Sequence, residues 1–350
     1  MSEHTQNAPQ GSPRKLEADV AIVGAGPVGL FAAFQCGMLG LSCALADVLE
    51  VPGGQCVALY PEKPIYDIPS RPSITGGGLI EALLEQVSPF NPAMLLGSRI
   101  SDVAGKAGAF TLTNERGDSI AAKAIIVAAG AGAFGPNRPP LEGLEAYEST
   151  GAVQYFVKKR ADFADKTIVV AGGGDSALDW ALSLSEIAKH VYLLHRRDRF
   201  RGAPDTLARI EKRISEGKIE KVVPYQLSAL QGEEGHLRQV EVKTLKGEAR
   251  LLDADHLLPF YGLSTDLGPI ALWGFNTERS SVPVNPATME TTTPGIYAIG
   301  DVAHYPGKMK LILQGFSEAA MATHAAYAVA RPDEALRFEH SSNRSSRPGA

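Results

Sequence analysis

Residues Val20–Gly29 read VAIVGAGPVG, a short β-branched apolar run that ends in a glycine turn. In that turn Gly24 permits the tight reversal, Gly26 lets the backbone approach a pyrophosphate, and Gly29 lets the following helix pack close to the strand. The helix N-terminus then faces the phosphate charge. Three glycines in this spacing are weak evidence alone, but their surroundings strengthen them. The run LFAAFQCGML is the crossover helix with Gly40 as its stop, and SCALADV is a second strand parallel to the first. Asp47 closes that strand, eighteen residues after Gly29. A carboxylate there accepts hydrogen bonds from ribose hydroxyls and repels a 2′-phosphate. The segment is therefore a dinucleotide site for an unphosphorylated ribose.

A second unit begins 148 residues later, measured from Gly24 to Gly172. Thr167–Ala177, TIVVAGGGDSA, has Gly172, Gly174 and Ala177 in the three key places, with Asp175 and Ser176 opening the helix. The next strand ends YLLHRR, which sets Arg196 and Arg197, beside His195, where the first unit has Asp47. Paired guanidiniums suit a phosphate monoester, because they are permanently charged and donate in a fork. Arg201 adds a third. This second site is expected to take NADP(H), which leaves FAD for the first. KAIIVAAGA near residue 130 and TPGIYAIGD at 293–301 both end in small residues and glycine, as close approach to a large cofactor requires. Asp301, placed before a helix expected near Lys310, is a candidate for the ribityl or phosphate end of a flavin. Its bland alternative is a helix cap.

The rest of the chain bounds these readings. It has 350 residues, 44% of them hydrophobic, with 36 glycines, which fits an α/β protein of two domains. A net charge of -5 disfavours nucleic acid as a partner. Cys36, Cys43 and Cys56 are at least seven residues apart, so neither a Cys-x-x-Cys pair nor a paired zinc ligand set is present. They read as small buried hydrophobes in a reducing compartment. No metal site is expected. The polar leader, residues 1–16, has no apolar centre and is not a secretory signal, and no apolar run is long enough for a bilayer. A cytoplasmic protein is expected. Residues 50–78 read mostly as loop, 79–90 as a short helix, and Arg116–Asp118 as the turn of a hairpin. Residues 220–262 read as further hairpin-like strands. GAVQYFVKKRADFADK, Gly151–Lys166, reads as linker and surface.

Taken jointly, both fingerprints, GGQ at 53–55, HRRDRFR at 195–201 and IYAIGD at 296–301 resemble the thioredoxin-reductase-like flavoproteins from about residue 18 to 330. Thioredoxin reductases carry an active-site disulfide just before the second fingerprint; here that place reads Val-Gln-Tyr-Phe and excludes such thiol chemistry. GGQCVALYPEKPIYDIP at 53–69 and the tail FEHSSNRSS at 338–346 make the chain similar to the thioredoxin-reductase-type ferredoxin–NADP reductases. The resemblance implies two Rossmann-like, three-layer ββα dinucleotide-binding domains and a homodimer. The FAD domain would comprise 17–138 and 268–332, the NADP(H) domain 139–267, and 333–350 a tail covering the flavin. Carried over residue by residue, it puts FAD contacts on Val28, Asp47, Gln55, Tyr60, Ile100, Phe134, Asp301 and Ser342. Tyr60 and His340 would cover the two faces of the isoalloxazine. Tyr66 offers a second flat ring in a loop stiffened by prolines.

The expected chemistry is hydride transfer from NADPH to FAD, then single-electron transfer to ferredoxin or flavodoxin, with no acid, base or nucleophile required of the chain. Such acidic carriers would dock on a basic patch, for which Lys158, Lys159, Arg160, Lys308 and Lys310 are candidates. Two other readings share the fingerprints: an NADPH-dependent flavin monooxygenase, whose Phe-x-Gly-x-x-x-His motif is missing, and a non-catalytic NADP(H) sensor.

Overall fold

From Ala18 to Val23 every residue of the strand Lys15–Val23 is buried, the mark of a strand covered on both faces. In the computed structural model, which describes residues 12–336, it lies inside a seven-stranded sheet. Cys43–Ala46 pairs parallel to it on one side and Ser119–Val127 on the other. Ala93–Leu95 extends the first edge. Beyond Ser119–Val127 come the antiparallel strands Ala109–Asn114 and Ile100–Lys106, while Ile296–Ala298 adds parallel to residues 125–127. Alternate residues of the strands face two separate cores. Val20, Ile22 and Ile126 pack under the helices Pro27–Met38, Gly76–Val87 and Ile312–Ala330. Ala21, Val23, Ile125 and Val127 pack against Phe110, Leu267, Trp273 and Phe275.

These elements form one of two compact units, residues up to 133 together with those from 265 onward; residues 134–264 form the other. The second unit has a four-stranded parallel sheet in the order Ile219–Val222, His190–Leu194, Thr167–Ala171, His256–Pro259. The helices Asp175–Leu184 and Pro204–Ser215 belong to it. Its other face carries an antiparallel sheet of Gln226–Glu233, His236–Lys243 and Ala249–Asp253, whose Val240, Val242 and Leu252 join the core under Val169 and Leu257. The expected hairpins at 220–262 are thus partly ladder strands of the parallel sheet.

Three local expectations need correction. The helix read as starting at Leu79 starts at Gly76, where Thr75 Oγ1 accepts from Gly78 N–H at 3.1 Å. Glycine is needed there because a Cβ on Gly76 would stand 2.6 Å from the Tyr60 carbonyl oxygen. The helix after Asp301 begins at Ile312, near the expected Lys310, but Asp301 does not stand at its N-terminus: it lies in a separate 3-10 turn, Gly300–Val302. Gly151–Lys166 is not linker and surface: Gln154 N–H donates to the Leu257 carbonyl and Leu257 N–H to that of Ala152, and Val157 and Phe163 are buried. Phe163 meets the edge of His256 at 5.0 Å between ring centres. The hydrophobic effect commits this stretch to the core of the second unit.

Candidate functional site

The first fingerprint is built by close backbone approach. Gly24 has φ +113°, and a Cβ there would stand 2.3 Å from the Ala128 carbonyl oxygen. Gly29 packs on the Gly24 carbonyl in the same manner. Gly26 is the N-cap of Pro27–Met38 and supplies no capping side chain, so the helix N-terminus keeps its positive end open for an anion. Its nearest neighbour, 3.9 Å from where a Cβ would be, is Gly54 Cα, which brings the GGQ segment to the turn. Gly53 N–H donates to the Ala25 carbonyl at 2.8 Å.

Asp47 holds the turn as well as ending the strand. Its Oδ2 accepts from Ala25 N–H at 2.6 Å and its Oδ1 from Leu49 N–H at 2.8 Å. Burial pushes its carboxyl above the usual value, against these hydrogen bonds. Each oxygen keeps a lone pair for a sugar hydroxyl.

Other expected residues gather around the turn. Val28 packs against Gly300 and Gly315: a Cβ on either would come within 3.5 Å of its side chain. Gln55 Nε2 lies 3.6 Å from the Cβ position of Gly130. Tyr60 is half-buried, with Cys56 Sγ 3.7 Å from its hydroxyl. Burial, with Cys56 and Asp301 nearby, raises the Tyr60 pKa, so the phenol stays neutral. Ile100 is buried in the core, so its side chain is not open to a ligand. Tyr66 stands out in solvent at 65% exposure, away from the stacking role expected for it. Phe134 lies on the strand Ala133–Pro136, and His340 and Ser342 lie outside the described residues. All three cysteines are buried and free; Cys43, then burial, raises the Cys36 thiol well above its ordinary pKa.

The second fingerprint repeats the plan with different chemistry. Gly172 N–H donates to the Leu194 carbonyl, as Gly24 N–H does to that of Ala46. That correspondence makes His195 the counterpart of Asp47 and corrects the register read from the sequence: Arg196 and Arg197 follow one and two residues later. The His195 ring lies flush on the turn, and a Cβ on Gly173 would stand 2.3 Å from it. Phe200 stacks on the same ring at 5.6 Å. Burial, then Arg196, Arg197 and Arg201, holds the His195 pKa below 6.5. Arg201 returns to the turn through its N–H on the Gly173 carbonyl at 2.7 Å. Arg196, Arg197 and Arg201 are exposed and form no ion pair among the described residues. Gly174, the N-cap of Asp175–Leu184, has no capping side chain and open space at its Cβ position. Asp175 and Ser176 are exposed at that helix start. Uncapped helix ends and unpaired guanidiniums fit an anionic dinucleotide with an additional phosphate.

Two candidates for a basic docking patch are spoken for. The Lys308 side chain is buried in an ion pair with Glu318, and Arg160 is tied to the Ser183 carbonyl and Glu186. Lys158, Lys159 and Lys310 are exposed. The Glu318 cluster escaped the sequence reading, although a single carboxylate in the apolar helix stretch GFSEAAMA was a signal for it.

Residues 18–328 match the pyridine nucleotide-disulphide oxidoreductase family, and the chain belongs to it. Two relatives, both ferredoxin–NADP reductases, are those of Gluconobacter oxydans and Gluconacetobacter diazotrophicus. The first is 70% identical over 333 residues, 95% of this chain and 98% of that protein. The second is 61% identical over 329 residues, 94% of this chain and 96% of that protein. Among solved structures, thioredoxin reductase from Lactococcus lactis aligns with a TM-score of 0.77 at 25% identity, covering 90% of this chain and 99% of that one. Among the described residues no helix is long and apolar enough to cross a membrane.

Proposed function

We infer that this chain is a ferredoxin–NADP reductase that works with FAD and NADP(H). The observation that carries the reading is the contrast between two equivalent turns. One is closed by the half-buried carboxylate of Asp47, the other is flanked by Arg196 and Arg197, which have no ion-pair partner among the described residues. A carboxylate beside the ribose suits FAD, and cations beside it suit the 2′-phosphate of NADP(H). The relatives at 61–70% identity support the same activity.

FAD would lie in the first unit, held by the turn Gly24–Gly29, Asp47, Gln55, Tyr60 and Asp301. Ile100 and Phe134 would contribute through their main chains, and Ser342 and His340 from the tail. NADP(H) would lie in the second unit on Gly172, Gly174, Asp175 and Ser176, with His195, Arg196, Arg197 and Arg201 around its adenosine phosphate. FAD, when bound, accepts two electrons with the hydride of NADPH and passes them on singly. The chain's own part is to bind and orient. Uncapped helix ends hold the pyrophosphates, the neutral His195 ring forms a flat floor beside the second turn, and Tyr60 offers stacking area. The three buried cysteines leave no thiol relay at the second fingerprint.

The physiological carrier is ferredoxin or flavodoxin, the working form a cytoplasmic homodimer, and Lys158, Lys159 and Lys310 are the remaining candidates for contacts with an acidic carrier. The test is NADPH oxidation with ferredoxin, flavodoxin and thioredoxin offered in parallel. Turnover with ferredoxin or flavodoxin is expected; turnover with thioredoxin alone would refute the reading, as would purified protein without flavin.

A further inference from the structure

Beneath the Gly300–Asp301 turn sits an ion pair closed off from solvent. Only 2% of the Glu318 side chain and 5% of the Lys308 side chain are exposed. Glu318 Oε2 accepts from Gly300 N–H at 2.7 Å, and Oε1 accepts from the Tyr305 hydroxyl at 2.6 Å and from Lys308 Nζ. Gln314 closes the ring: its Nε2 donates to the Tyr305 hydroxyl at 2.7 Å and its Oε1 accepts from Met309 N–H at 2.8 Å. Lys308 Nζ also lies 5.8 Å from the Tyr305 ring centre.

A buried ion pair is weak evidence for stability, because desolvating both charges offsets most of their attraction. Such a pair commonly fixes a geometry instead. The group held here is the N–H of a glycine at φ +73°, whose Cβ position points at Val28 in the first fingerprint. The next residue is Asp301, near enough to act on the ionisation of both Cys56 and Tyr60. The carboxylate thus grips the peptide N–H directly before Asp301, at the turn that packs on Val28 of the first fingerprint.

We propose that Glu318, held by Lys308 and Tyr305, is a positioning residue for the flavin site, fixing the Gly300–Asp301 turn in the register that receives FAD. The inference rests on the first unit being the FAD site. Lys308 Nζ donates to Oε1, which fixes the carboxylate plane and leaves Oε2 facing Gly300 N–H. Tyr305 donates a further hydrogen bond to the carboxylate, and Gln314 in turn donates to the Tyr305 hydroxyl.

The test uses the full-length holoenzyme and follows FAD release by recovery of free-flavin fluorescence, with the visible circular dichroism of bound flavin and the thermal midpoint recorded beside it. Glu318→Ala is expected to speed FAD release about tenfold and to change the flavin dichroism; a charge-assisted hydrogen bond of this kind supports that size. The double variant Glu318→Gln with Lys308→Met keeps an acceptor oxygen for Gly300 and removes both charges, and its release rate should return to within about threefold of the parent. Tyr305→Phe, the mildest change, should quicken release severalfold and serves if Glu318→Ala does not fold. A lowered midpoint with release and dichroism unchanged in Glu318→Ala or Tyr305→Phe would make the cluster merely structural and overturn the proposal. Unaltered protein that binds no FAD would instead overturn the assignment of the first unit.

Discussion

Replacing Arg196 and Arg197 by alanine tests the second site at its most specific point. Both guanidiniums are exposed and without a carboxylate partner among the described residues, so their charge is free for a ligand. A charge-assisted hydrogen bond to a phosphate contributes about 1.5–3 kcal/mol, and exposure to water argues for the lower end. Each single variant should therefore weaken NADPH roughly tenfold. The two residues are neighbours and share one phosphate, so the double variant should fall short of the roughly hundredfold of full additivity, at about thirtyfold. NADH lacks the 2′-phosphate and should lose less than about twofold. The assay is kcat/KM for both nucleotides with ferricyanide as acceptor, paired with calorimetry of 2′,5′-ADP and 5′-AMP binding. The calorimetric arm reads the site without electron transfer. A second readout comes from His195, whose pKa those arginines depress after burial has done so first; in the double variant it should move up toward its ordinary value. Equal losses for NADPH and NADH would refute the reasoning, because they would place the arginines outside the phosphate subsite.

Two further outcomes concern the scaffold. Burial pushes the Asp19 carboxyl up, but Arg331, Lys123 and Ser42 outweigh it and hold its pKa at about 2, below the usual 3.8. Folded-state depression means that this stability is fully present above pH 3.8 and is lost as pH falls through 2. Asp19→Asn should cost about 2 kcal/mol at pH 7, with the gap to the parent closing near pH 2. Urea titrations at pH 7 and in acid check this, and a gap independent of pH would contradict it. Phe163→Ala removes one of the largest fully buried side chains of the second unit and should destabilise that unit by about 3–5 kcal/mol without reducing flavin content. An unchanged thermal midpoint would return Gly151–Lys166 to the status of a linker.

The legible parts of the molecule are those whose cause is local. A glycine turn between a strand and a helix is encoded within ten residues, and Asp47 and the arginines follow at the next strand end. What the residues around Asp47 could not disclose is that its carboxylate closes the turn through Ala25 N–H, since that bond spans two strands. The one-step error at the second strand end has a similar origin. The pattern HRR draws attention to its charges, while the structural counterpart of Asp47 is the uncharged ring lying on Gly173. Lys308 was read as surface because lysine usually is; its partner is ten residues away, on the first turns of the helix Ile312–Ala330. Gly151–Lys166 looked like linker because its apolar residues follow neither strand nor helix period. It is instead an irregular stretch bonded beside His256–Pro259, where burial rather than periodicity selects Val157 and Phe163.

The discontinuity of the first unit has a consequence for the order in which the protein is made. When synthesis has passed residue 264, the whole of the second unit exists, yet the first lacks everything from residue 265 onward. The strand Ser119–Val127 then has no Ile296–Ala298 along its C-terminal edge, and the helix Pro27–Met38 has no Ile312–Ala330 beside it. Asp19, seated in a strand made near the beginning, waits for Arg331, whose guanidinium reaches it across 312 positions of sequence. Unpaired edges and bare apolar faces on a growing chain invite association with other chains. The nascent polypeptide thus spends its most vulnerable interval with the earlier-made unit still open and the later-made one already closed.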